Sequence, residues 1–150
     1  MSPDLLLFRL RRFLLALAGL LFVGTVIELW LADHMKEAVQ LIPFALCGLG
    51  LIAVSAALLR PHRKILLALR GCMGLVALGS LLGIYQHLQS NLAFELEIHP
   101  TATASDVVMG TLGGASPLLA PGILALAAVL AVAATCYHPA LTYDGSGLSE

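Results

Sequence analysis

The chain has 150 residues, of which 59% are hydrophobic and 11% charged, and its net charge is −1. A water-facing domain carries about 25% charged and roughly 45–50% apolar residues, so this composition would leave too much apolar surface on one small soluble globule. Eight basic residues against nine acidic ones, with no basic stripe or Arg/aromatic cluster, also exclude nucleic acid as a partner.

A first membrane span is predicted over residues 13–31. Nineteen residues at the helical rise give about 28 Å, close to the ~30 Å thickness of the hydrocarbon layer. Arg9, Arg11 and Arg12 precede it, as in the n-region of a secretory signal. The apolar run continues to Leu31, however, and no small-x-small site follows, so the segment reads as a retained span. Trp30 marks its far end, where an amphipathic ring prefers the headgroup level. A polar turn, 32–37, follows.

The second span is predicted over 39–59, with Gln40 and Pro43 in or near its first turn, where proline removes no intrahelical hydrogen bond. The sequence Arg60-Pro61-His62-Arg63-Lys64 stops it. The third span covers 65–85 and ends at Tyr85, Gln86 and His87. A longer connection, 86–117, is the one segment able to build something outside the lipid. Within it, Ser105 and Asp106 are placed to cap a short helix over 107–112, which Gly113 and Gly114 end. The stretch is expected to lie on the exterior surface or dip slightly into the bilayer. The fourth span starts near Pro117 or Pro121 and is set at 118–137. The remainder, 138–150, is a polar tail.

Orientation follows from the basic residues. Arg9, Arg11, Arg12, Arg60, Arg63 and Lys64 fall on one side, Arg70 reaches toward it, and only Lys36 lies on the other. This bias places both termini and the 60–64 turn in the cytoplasm. The expected fold is all-α: an antiparallel four-helix transmembrane bundle of the plasma (inner) membrane, forming a single domain capped outside by 86–117.

Lipid tails give helices no hydrophobic reason to associate, so small residues mark the seams. Gly71, Gly74, Gly79 and Gly83 on span three and Gly48, Gly50, Ala53 and Ala57 on span two supply them. A glycine face could equally dock another subunit or a second copy. Cys47, Cys72 and Cys136 lie in hydrophobic segments without metal or redox spacing and read as packing residues.

Few groups within the spans can carry chemistry. Arg70 can snorkel to the cytoplasmic interface. Glu28, one turn inside the exterior boundary, is a site candidate because an intramembrane carboxylate needs hydration or a partner. The exterior collects further metal-competent side chains in His34, His87, Glu95, Glu97 and His99. Alternation over 94–99 predicts an extended segment with Glu95, Glu97 and His99 on one face. Carboxylates and imidazoles of this kind suit a divalent metal such as zinc. Haem between His34 and His87 is disfavoured, because both lie at the water boundary rather than in an apolar interior.

Hydrolase, P-loop, dinucleotide and HExxH motifs are absent, and the spans are nearly apolar at mid-depth. The leading expectation is therefore a non-enzymatic accessory or structural subunit of a membrane complex. One alternative is a membrane metal-binding protein using Glu28, His34, His87, Glu95, Glu97 and His99. A second is a channel or transporter whose pore needs an oligomer.

Overall fold

In the computed structural model, which describes residues 2–114, 116 and 118–142, every regular element is helical. The first helix, α1 (Pro3–Leu31), starts well before the predicted span because Ser2 caps it and Pro3 occupies its first turn. Its last turn closes as a Schellman motif: Asp33 N–H donates to the Trp30 carbonyl and His34 N–H to that of Leu29. Asp33 takes the left-handed position usually given to glycine, with φ 51°. Aspartate tolerates that region better than most residues do.

A 3₁₀ turn, Ala38–Leu41, precedes α2 (Ile42–Leu59). Gln40 folds back, its side-chain oxygen accepting from the backbone N–H of Lys36 and Glu37. The turn therefore takes up the first three residues of the predicted span two, 39–41, and the α-helix begins with Pro43 in its first turn.

Next comes α3 (Arg63–Ile98), 36 residues and so about 54 Å long. This corrects two expectations. The connection 86–117 is no simple loop, because its residues 86–98 continue α3. The segment 94–99 is helical rather than extended. No glycine or proline interrupts 84–99, and Pro100 is the first breaker. A lone strand would also leave its backbone groups unpaired, whereas the helix satisfies them internally. The short helix α4 (Ala104–Leu112) then turns back along α3. Thr103 caps it and Asp106 returns a bond to the Thr103 N–H, so the cap falls two residues before Ser105. Gly113 ends it as expected.

The last long element, α5 (Leu119–Ala133), has 15 residues and spans about 22 Å. A turn through 134–137 and the short α6 (Pro139–Thr142) follow. Pro117, one of the two expected starts of span four, and the tail beyond 142 lie outside the described residues. Among the described residues, α1, the 38–59 segment and α3 are long and apolar enough to cross a membrane, and α5 is a shorter apolar helix.

These four helices form a closed antiparallel ring. Helices α1 and α3 each pack on both α2 and α5, while α2 and α5 touch more sparingly across the diagonal. Gly19 meets Val54 and Gly50 meets Phe22, so α1 and α2 run in opposite directions. Gly83 against Pro121 and Arg70 against Thr135 show the same for α3 and α5. The buried stripes repeat at spacings of three and four: Leu15, Ala18, Phe22, Thr25 and Leu29 on α1, and Leu66, Leu69, Met73, Val76 and Ser80 on α3. Such spacing belongs to helices packed at shallow angles.

The distribution of side-chain size is inverted relative to a soluble bundle. Ala18, Ala57, Ala127, Ala128, Ala131 and Gly50 are buried, while Leu20, Ile52, Leu78 and Val129 are 61–70% exposed. Small residues inside let backbones approach, and large apolar ones outside meet a hydrocarbon solvent.

Candidate ligand cavity

The interior is filled from Leu15 and Leu66, toward the end of the bundle that carries the 60–62 turn, up to Phe22 and Val76. Beyond that level the four helices open into a cavity of about 730 Å³. Its floor is apolar, formed by Leu29, Leu46, Gly79, Gly83, Pro121 and Leu124. Its wall along α3 runs from Ser80 to Ser90, ten residues or about 15 Å. The mouth is polar and carries Glu28, His34, Glu37, Gln86, His87 and Ser116.

Local structure positions each of these groups. Glu28 lies in the penultimate turn of α1, half-buried on the inward side. The Schellman turn aims His34 across the bundle end, where its ring stacks on that of His87 with centroids 6.4 Å apart. Burial, and secondarily the nearby His34, hold His87 below the ordinary imidazole pKa. Its neutral form is therefore favoured. Among the described residues no lysine or arginine lines the cavity, and Lys36 in the adjoining turn is engaged by Asp33 at 3.1 Å. The mouth thus bears two carboxylates without a lining cation.

The sequence-predicted site residues fall into two places. Glu28, His34 and His87 share the cavity mouth. Glu95 and His99, one helical turn apart at the end of α3, pair at 2.9 Å, about 12 Å and 18 Å beyond His87 along the helix. Glu97 lies between them in sequence but on another face, because two residues of helix rotate by about 200°. Among the described residues, no three His, Cys, Asp or Glu side chains are grouped as a metal ion requires.

The sequence reading missed Gln40, Ser80, Gln86, Ser90 and Ser116 as lining residues and Asn91 as the residue that shapes the rim. Asn91 is buried; its amide donates to the carbonyls of Thr111 and Ser116 and accepts from the Ser116 N–H. That clamp returns the chain from α4 to α5 beside Ser90. A signal was present: the buried stripe of α3 continues at helical spacing through Ser80, Gly83, His87 and Asn91, where apolar residues give way to polar ones. No known protein family, no curated protein and no solved structure matches the chain.

Proposed function

We propose that the chain is a four-span protein of the plasma (inner) membrane, with both termini cytoplasmic, that serves as a non-enzymatic accessory subunit by presenting its exterior hairpin to a partner protein. Lys64 and Tyr85, at opposite ends of the apolar part of α3, are 21 residues apart, about 32 Å, which fits the hydrocarbon layer. The cytoplasmic arginines and the exterior Trp30 and Tyr85 support this placement.

The observation that carries the reading is the outer face of α4. Val108, Met109 and Leu112 are 56–70% exposed, and Gly110 of the same helix sits against Glu95. Glu95 is ten residues, or about 15 Å, beyond Tyr85, whereas the headgroup band adds only about 5–7 Å per leaflet. Lipid does not reach that height, and three apolar side chains left in water favour a protein cover worth ~1.5–3 kcal/mol for each fully buried residue. Below Ser80 the interior is filled by Phe22, Val76, Met73 and Leu69, which supports a protomer that conducts nothing by itself.

Photo-crosslinking in intact membranes tests the proposal. A crosslinker at Met109 is expected to give one discrete protein adduct. That adduct should disappear in Val108→Glu/Leu112→Glu while the variant accumulates and melts as the parent does. No adduct at Met109, together with a monodisperse monomer in mild detergent, would overturn it.

A further inference from the structure

The cavity at the exterior end of the bundle has the volume, shape and charge of a small-molecule site, and it serves no purpose in the partner-docking reading. We propose that it binds an organic cation with an apolar body, the cationic head held by Glu28 and Glu37 and the body resting on Leu46, Pro121 and Leu124.

Ligand pockets occupy about 300–1,000 Å³ and combine apolar walls with a few convergent polar groups; this cavity of about 730 Å³ falls within that range. All four long helices contribute to its walls, so it is a feature of the assembled bundle rather than a surface dent. The floor is too apolar for a hydrated ion: among the described lining residues below the mouth only Ser80 is polar, and its hydroxyl already donates to the Val76 carbonyl at 2.7 Å. The mouth selects charge. Glu28 and Glu37 line it, and Lys36 is drawn off by Asp33. An anionic head would meet two carboxylates of like charge, one of them half-buried, and be repelled. A bare divalent metal is also a poor fit, because no three candidate ligands are grouped among the described residues. The flat stacked rings of His34 and His87 add a polarisable side wall to the entrance.

Two ions of the same shape and opposite charge test this directly. The full chain in a non-ionic detergent is titrated with tetraphenylphosphonium and, separately, with tetraphenylborate, and uptake by empty micelles is subtracted. The phosphonium is expected to bind saturably with a stoichiometry near one. Glu28→Gln should weaken it by about tenfold, Glu97→Gln should leave it unchanged, and the borate should show partition alone. Glu37→Gln, in an exposed turn, provides a second reading should Glu28→Gln fold poorly. Equal uptake of the two ions, no saturable phosphonium binding, or an unaltered affinity in Glu28→Gln/Glu37→Gln would each overturn the proposal. None of these outcomes bears on crosslinking at Met109, so the two proposals fail separately.

Discussion

The tip of the Phe22 ring fills the space that a side chain at Gly50 would need: a Cβ built on Gly50 would stand 2.5 Å from Phe22 Cζ. Phe22 is fully buried and is the bulkiest group in an interior otherwise dominated by alanine and leucine. A single missing side chain on α2 therefore lets α1 place an aromatic ring in the seam. Gly50→Ala is expected to destabilise the bundle by about 1–3 kcal/mol, the usual cost of overpacking a filled core, measured by thermal unfolding in mild detergent. Gly71→Ala and Gly74→Ala, where an added Cβ meets nothing within 4 Å, should change stability by no more than about 0.5 kcal/mol. Restoration of part of the loss in Phe22→Leu/Gly50→Ala would tie the effect to this one contact.

At the opposite end of the bundle from the cavity, Arg70 supplies a different kind of support. Its Nε donates to Thr135 Oγ1 at 2.8 Å and its guanidinium reaches the Thr135 carbonyl, while the same hydroxyl donates to the Val132 carbonyl. Arg70 thus caps the end of the short helix α5 from a neighbouring helix. Interhelical hydrogen bonds in membrane proteins average about 0.6 kcal/mol and reach about 1.7. Thr135→Val should therefore lower stability by roughly 1 kcal/mol. Arg70→Lys should recover little of the loss in Arg70→Met, because an ammonium lacks the planar fork. Equal stability of Arg70→Met and the parent would remove the capping role.

The helical character of the chain was legible because apolar runs near 20 residues and Pro/Gly punctuation report directly on helix length and ends. Three long apolar helices and a shorter one follow from that. Arg70 was read from its depth alone; Thr135, the group it caps, is 65 residues away and carries no local signal. The segment 94–99 misled because six alternating residues fit either period, and the decisive feature was the absence of a breaker before Pro100. The cavity was hidden for another reason. His34 and His87 could be placed at one depth and Glu28 one turn inside the boundary, but whether side chains fill the space between four helices depends on packing that no single helix records.

Asn91 is the pin of the hairpin formed by the end of α3 and α4. One buried side chain satisfies the Thr111 and Ser116 carbonyls and the Ser116 N–H, and Gly114 leaves room for it, since a Cβ there would approach Asn91 Cγ to 2.5 Å. Asn91→Ala strands all three backbone groups, and each unsatisfied buried group costs about 1–3 kcal/mol. The loss is expected to appear as local opening, because the clamp holds the link between α4 and α5 and not the bundle. Amide exchange should quicken over 111–118 while exchange in α1 and α2 is unaltered. Asn91→Asp should open the same segment, because a carboxylate cannot donate to the two carbonyls. Uniform acceleration along the whole chain would show that Asn91 supports the bundle instead.

His87 sits where burial and an adjacent imidazole act in the same direction. Both disfavour the imidazolium, burial more than His34, so its folded-state pKa lies below the ordinary value of 6.5. Between the folded and unfolded midpoints the unfolded chain binds more protons, which makes stability rise with pH across that window. Acidification from neutrality should therefore weaken the fold, beginning near pH 6.5 and levelling off once the folded-state His87 is itself protonated. His87→Gln should flatten this part of the profile. Nuclear magnetic resonance titration separates the two causes: in His34→Ala the His87 midpoint is expected to move upward yet stay below the ordinary value, since the larger contribution survives. A midpoint that fully regains the ordinary value would assign the shift to the stacked neighbour instead, and one that does not move would leave burial as its whole origin.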